Sequence, residues 1–434
     1  MTGRIKQAIT AAANWRGYGK TLIMLYALML AVAVCLLPVS FINGIRVPYT
    51  SFYISDWLIN YQGGFVRRGL AGEVLYQLYN ICSFPPKIII TSLVIASFLL
   101  FSHIAWKASS YLHVSLFPLL VLLTGNFSAL GFYRRDFLML SLAYYVFLFF
   151  AKYLSTRKTY YLCLSVALSS LSVLLHEASC FFIVPLTGYA ALLAGQRGIK
   201  QRIVLCLTTV TPPCIAMAAA CLMKGNTETA QAIWQSWMPA FTAYPEAAIP
   251  PIGEGVAFLG YKTTDVFLFH LSLNFQYQMD IAHLVCSVVS VPITLSCAYF
   301  LLTMSPWIDI RKKTISQPRF NAPLGNMLLF QYMALTPMFT VLSCDYGRTV
   351  MYALASSLFM FYALKRNGIS LLSPYIIGGI TARCRGIADS NRHFTSHWLY
   401  LTVILLTPIT PVCAIHFPFH SLIVQTILKG IGLL

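Results

Sequence analysis

The sequence predicts an all-α, polytopic integral membrane protein, and three observations carry that prediction. Of 434 residues, 58% are hydrophobic and only 10% are charged, against roughly a quarter charged in a soluble globular domain. The mean hydropathy is +0.72. Apolar stretches of the length needed to cross a hydrocarbon core, about 20 helical residues, recur from one end of the chain to the other, so residues 1–434 are read as a single membrane domain. The net charge of +18, from 30 Lys+Arg against 12 Asp+Glu, would point to nucleic acid in a soluble protein. Here basic residues in cytoplasmic loops orient the helices, and no nucleic-acid partner is expected. Twelve cysteines are scattered singly and form no C-x-x-C pair, which argues against a zinc or redox site.

The elements follow in order from hydropathy and the distribution of basic residues. The basic N-terminus (Arg4, Lys6, Arg16, Lys20) leads into an uncleaved first crossing near Leu22–Asn43, with the N-terminus inside. Residues 44–87 form a first extracytoplasmic loop in which the residues following Gly63-Gly64, through Gln77, read as a short amphipathic helix. The chain returns near Ile88–Lys107, goes out near His113–Phe132, breaks at Arg134-Arg135-Asp136 and returns near Phe137–Tyr153. The run Tyr160–Gly195 would be about 50 Å long as one helix, and both of its flanks are basic, so it must go out and come back, turning at His176-Glu177. Ile203–Met223 crosses outward to a second long outer segment, 224–280, part of which (256–275) is expected to dip into the membrane. Ile281–Met304 returns, Asn326–Ser343 goes out to Asp345-Tyr346-Gly347-Arg348, and Thr349–Leu364 comes back. Ile369–Arg392 reads as an interfacial cytoplasmic segment, and His397–Ala414 crosses outward. The sum is eleven crossings, or twelve if the tail returns. This assignment places two thirds of the basic residues inside, and of the acids only Asp309 and Asp389.

Four polar motifs then fall at the outer face. Ionisable groups at a membrane boundary are costly and are candidates for function by default. The first runs from Asp56 through Asn60 and Gly63-Gly64 to Arg67-Arg68. The glycines permit a tight turn or a close backbone approach, and paired guanidinium forks match the oxygens of a phosphate or pyrophosphate. Its structural alternative is an interfacial helix with snorkelling arginines. The second, Arg134-Arg135-Asp136, offers either an arginine for substrate or an Arg–Asp pair closing a turn. In the third, His176 titrates near neutrality and a partly desolvated Glu177 can be raised toward it, so either can serve as a general base; alternatively the pair holds the turn, or Glu177 neutralises an arginine. In the fourth, Arg348 adds to an anion site with Asp345 orienting it and Tyr346 in support, or makes a plain salt bridge.

At these residues the chain resembles bacterial O-antigen and capsule polymerases and relatives with a GT-C-like glycosyltransferase arrangement. The pieces that carry the resemblance are Asp56 followed by Gly-Gly-Phe-Val-Arg-Arg-Gly-Leu, then Arg-Arg-Asp, His-Glu and Asp-Tyr-Gly-Arg. The first loop lacks an Asp-x-Asp or Glu-x-Asp metal motif. The resemblance implies a multi-pass protein of the bacterial inner membrane that transfers or polymerises glycosyl units outside the cytoplasm. Its partners would be a polyprenyl-(pyro)phosphate-linked sugar donor, a glycan acceptor, membrane lipid and, for a polymerase, a chain-length regulator. Arg67, Arg68, Arg134, Arg135 and Arg348 would bind the phosphates and stabilise the leaving group. Asp56, His176 or Glu177 would take the acceptor's proton, and Trp57, Tyr61 and Trp237 would stack on sugar rings. Neither metal nor cofactor is required, because pyrophosphate is a good leaving group. Two other readings compete: a flippase or transporter of the same lipid-linked sugars, and a membrane acyltransferase with His176 as base.

Overall fold

The computed structural model describes residues 46–114, 133–195, 198–242, 252–261, 294–306, 320–342 and 346–390, with a few short pieces besides. Regular structure among them is helical, apart from two antiparallel two-residue strands, Ile308–Asp309 and Thr314–Ile315. Helix α1 (Gly69–Cys82) is the amphipathic helix expected in the first outer loop. Helix α2 (Pro86–Leu112) begins with proline, whose missing N–H costs nothing at a helix start. Helix α3 (Asp136–Thr156) opens on an acid, which suits the positive end of the helix dipole. Helix α4 (Thr159–Leu175) stops where His176 adopts an extended conformation. After the turn come a short helix at Ser179–Phe182, α5 (Val184–Leu193) and α6 (Ile199–Leu222).

Three of these, α2, α3 and α6, are long and apolar enough to cross a membrane. Thr159–Leu175 and Ser179–Leu193 are shorter apolar helices, and the reversal between them falls at His176-Glu177 as the basic flanks require. Of the crossing expected at Ile281–Met304 the second half is described, with a short apolar helix at Thr294–Thr303, and those expected at Leu22–Asn43, His113–Phe132 and His397–Ala414 lie mostly outside the described residues. So do the tail and all but the start of the dip at 256–275.

Beyond them, α8 (Ala322–Ala334) leads to α9 (Tyr346–Arg366), and α10 (Tyr375–Ser390) packs against α8. Helix α9 is the axis of the bundle. Every residue from Thr349 to Leu364 is buried, and α2, α3, α5 and α8 all touch it. Ala353, Ala355, Ser356 and Ser357 keep its surface narrow enough for neighbouring helices to approach on several sides.

The helix ends sort onto two faces. Arg348 at the start of α9 meets Asp136 at the start of α3, and Arg135 meets the Leu175 carbonyl at the end of α4. At the opposite face Tyr111 donates to the Lys365 carbonyl, Arg202 donates to the Leu192 carbonyl, and Ala194 pairs with Leu371.

Over the first face lies a cap built from the described parts of segments 44–87 and 224–280. Helix α7 (Thr227–Ser236) and the residues after it fold onto the first outer loop. Trp237 Nε1 donates to the Leu58 carbonyl at 2.8 Å and Asn60 Nδ2 to Ser236 Oγ at 2.8 Å. The Gly255 amide donates to Ser55 Oγ and the Glu254 amide to the Thr50 carbonyl, each at 2.8 Å. The two long loops, some 200 residues apart, are therefore one structural unit.

Candidate functional site

The cap holds Asp56 in a short 3-10 turn, Asp56–Leu58. Gly255 is what lets the second segment reach it: a Cβ there would sit 2.5 Å from the Asp56 nitrogen. The Gly63-Gly64 pair uses both freedoms expected of it. Gly64 turns at φ +110°, and a Cβ on Gly63 would come within 2.7 Å of the Thr229 carbonyl of α7. Asn60 is fully buried and ties Ser236 to the Gln62 amide, so it and the glycines shape the cap rather than face the charged cluster.

Arg68 caps α1 with a left-handed backbone, φ +63°, a conformation rarely adopted by a residue with a side chain and typical of functional sites. That backbone turns its guanidinium inward. Nε donates to Glu177 Oε2 at 2.8 Å and Oε1 at 3.0 Å, Nη2 also bonds Glu177 Oε1, and Nη1 reaches Asp56 Oδ1 at 3.1 Å. The other Asp56 oxygen lies 3.3 Å from Arg135 Nε. The remaining donors of Arg135 go to the carbonyls of Arg68 (3.1 Å), Leu175 (2.7 Å) and Asp56. Its guanidinium stacks over Trp57 at 5.1 Å, and its side chain has no exposure to solvent. Arg135 is thus an internal tie among three segments, and the phosphate contact expected from it is corrected: its side chain is enclosed, with Nε beside Asp56 but making no hydrogen bond.

A second cluster adjoins the first. Arg348 grips Asp136 with Nε at 2.9 Å and Nη2 at 2.7 Å, and the Tyr352 hydroxyl donates to the same carboxylate. Tyr352 was missed in the sequence, although its place four residues after Arg348, on the same helix face, was a usable signal. Arg134 lies with its guanidinium 5.4 Å from the Tyr53 ring and close enough to Asp136 to act on its charge. Asp345 lies outside the described residues, and Tyr346 is described only as the first backbone position of α9.

Arg67 stands apart. Among the described residues no carboxylate lies within ion-pair distance of it, and its guanidinium reaches only the Phe258 carbonyl, at 3.4 Å. Two expected sugar-stacking residues are corrected. Trp57 and Trp237 are buried, at 1% and 0% exposure, and their indole N–H groups bond backbone carbonyls. Tyr61 is half-buried and stacks on the exposed Phe65 with ring centres 5.2 Å apart, so that pair carries the surface aromatic platform.

The electrostatics reverse one expectation. Burial pushes the Asp56 and Glu177 carboxyls upward, but the facing arginines outweigh it. Arg135 and Arg68 hold Asp56 down to about 2, and Arg68 holds Glu177 well below the usual carboxylate range. Glu177 is therefore an ionised ion-pair partner in this state, not a carboxyl raised toward neutrality. His176 moves the other way from a switch: burial, then Arg68, pushes its imidazole down to about 4. Its Nδ1 accepts the Ala178 amide at 3.1 Å, so the neutral ring carries its hydrogen on Nε2 and presents a donor rather than a base.

A pH dependence follows. His176 binds its proton near 6.5 in the unfolded chain and near 4 in the folded one, so the unfolded state holds more protons between those values. Stability is fully present above about 6.5 and is lost as pH falls toward 4. Asp56 adds a second loss between 3.8 and about 2. The thermal midpoint of the detergent-solubilised protein should fall below pH 6.5, and His176→Gln should flatten the limb between 6.5 and 4. A variant that keeps the full slope would show that another group produces it.

Among the described residues, Arg68, Arg135 and Arg348 pair with Asp56, Glu177 and Asp136 at one face of the bundle, and Arg67 and Arg134 lie beside them. Among the described residues no three His, Cys, Asp or Glu side chains gather to hold a metal ion. No family model, curated protein or solved structure matches the chain.

Proposed function

We propose that the chain is a membrane glycosyltransferase of GT-C-like arrangement in the bacterial inner membrane. It would transfer or polymerise glycosyl units from a polyprenyl-(pyro)phosphate donor on the extracytoplasmic side. The observation that carries the reading is the convergence of Arg67, Arg68 and Arg348 with Asp56 and Glu177 at the end of membrane-crossing helices. Such a site suits a dianionic lipid phosphate and the charge that develops as it leaves. The proposed orientation takes the opposite face as cytoplasmic, and what supports it is the set Lys152, Arg157, Lys158, Lys200, Arg202, Lys365 and Arg366 at the helix ends there.

In this reaction an acceptor hydroxyl attacks the anomeric carbon and the bond from that carbon to the phosphate oxygen breaks. The hydroxyl proton passes to a carboxylate. Glu177 is the better placed, because Arg68 is its one arginine within ion-pair distance, whereas Asp56 is held between Arg68 and Arg135. Asp56 and Arg135 are then positioning residues, and the Nε2–H of His176 donates to a substrate oxygen. The lipid tail has a route as well: α1 begins at the arginines and exposes Val74, Leu78 and Ile81 on one face.

Two features favour transfer over the competing readings. A flippase needs charge along a path through the membrane, yet α9 carries no Asp, Glu, Lys, Arg or His between Arg348 and Lys365. An acyltransferase using His176 as base needs a free ring nitrogen, and Nδ1 is occupied by a backbone amide.

The test is reconstitution in lipid nanodiscs with a polyprenyl-pyrophosphate-linked oligosaccharide. The lipid-linked glycan should lengthen without ATP or an ion gradient, and Arg67→Ala and Glu177→Gln should each abolish the product while membrane insertion stays normal. Deleting the gene should collapse the surface-glycan ladder to one repeat unit. Complete loss of surface glycan would instead favour a flippase, and full-length polymer from both variants would remove the site.

A further inference from the structure

We propose that the Arg68–Glu177 ion pair is a competitor that the substrate's phosphate must displace, so that phosphate binding itself frees Glu177. Arg68 has two guanidinium edges for two-pronged binding: Glu177 occupies Nε with Nη2, and Asp56 takes Nη1 of the other. A phosphate recognised by this arginine fork needs one of them, and the edge held by Glu177 is the one whose occupant can leave. Arg67, the next residue, keeps donors to spare and provides a first point of attachment beside it. The third corner is rigid: Asp56 is held between Arg68 and Arg135, and Arg135 cannot move without breaking bonds to three carbonyls. Glu177 is the member that can leave. It sits on a turn, its side chain is 20% exposed, and its carboxylate has Arg68 as its one close cationic partner besides the neutral His176.

Displacement has a charge consequence. Arg67 and Arg68 face the Glu177 carboxylate from the first outer segment, with Asp56 on the same segment, Arg135 at the start of α3 and His176 beside it on the turn. Arg348 of α9 faces His176. When a phosphate takes Arg68, Glu177 loses its strongest cationic neighbour and gains the phosphate's negative charge nearby. Its affinity for a proton then rises, and a resting ion-pair partner becomes a proton acceptor at the moment substrate is in place.

The inference deepens the transfer reading but needs only that the arginines bind phosphate. Inorganic pyrophosphate is titrated by calorimetry into the purified full-length protein in detergent, in two buffers of different ionisation enthalpy. Wild type should bind with net proton uptake. Glu177→Gln should bind about tenfold tighter, because the competitor is gone, and without that uptake. The control is Glu73→Gln on α1, whose carboxylate accepts from the Tyr61 amide and from Gln62 and Gln77 rather than from an arginine. It should bind like wild type. Weaker binding by Glu177→Gln, equal tightening in the control, or wild-type binding without proton uptake would each overturn the exchange. Pyrophosphate binding with the expected pattern but no glycan product would leave the exchange standing and remove the transferase.

Discussion

Arg68→Ala is expected to abolish glycan transfer, by about a thousandfold or more, and to destabilise the protein by about 3–5 kcal/mol. The activity loss is the usual scale for removing a cation aimed at a transferring phosphate. The stability loss follows because Asp56 and Glu177 are both largely enclosed, and stripping the partner from a buried charge costs about that much. Arg68 also pays a backbone cost for its φ of +63°, which alanine keeps and glycine does not. Arg68→Gly should therefore be about 1 kcal/mol more stable than Arg68→Ala and equally inactive, separating the side chain's role from the strain. In the double variant Arg68→Met, Glu177→Gln the charges of the pair vanish together, and Asp56 keeps Arg135 as its partner. Much of the stability should return, because neutral isosteres of a buried ion cluster cost little, with no recovery of transfer. Thermal unfolding and the nanodisc assay read both quantities. An Arg68→Ala protein with normal stability would mean that the carboxylates are not held as described.

The second large effect belongs to the neighbouring cluster. Arg348→Ala should destabilise by about 3–5 kcal/mol, because Asp136 is buried and would be left with Tyr352 as its principal donor. Arg348→Lys should not rescue, since an ammonium cannot reproduce the two-pronged contact. A double-mutant cycle with Asp136→Ala distinguishes a tie from a ligand. Removing both charges should recover about 1–3 kcal/mol of the single-variant loss as coupling energy. If Arg348 serves only to hold α3 against α9, the double variant recovers activity as well. If it also touches the substrate's phosphate, the double variant is stable and inactive. The second outcome is expected, because Arg348 retains 16% side-chain exposure while Asp136 keeps 7%.

Several features were legible before any coordinates. Composition placed the chain in a membrane, and the basic flanks of Tyr160–Gly195 demanded a reversal at His176-Glu177, where α4 ends. The polar motifs between the apolar runs stood out as well, and the carboxylates that pair with Arg68, Arg135 and Arg348 are among the residues those motifs name. Periodicity marked α1 as amphipathic. These inferences rest on local quantities: hydropathy summed over a helix length, or the sign of charge within a loop.

What only the tertiary structure decided depends on distance between residues far apart in the chain. Arg134 and Arg135 are identical in type and adjacent, yet Arg135 is wholly enclosed while Arg134 lies beside a tyrosine ring. Trp57 and Trp237 are expected from the sequence to stack on sugar rings, and they are core because Trp237 and Gly255 pack onto the first loop. The sign of Glu177's shift is of the same kind. Burial and a nearby guanidinium push a carboxyl in opposite directions, and Coulomb attraction grows steeply as separation shrinks to hydrogen-bonding range. The sequence names both opponents, but the separation that decides between them exists only once the chain is folded.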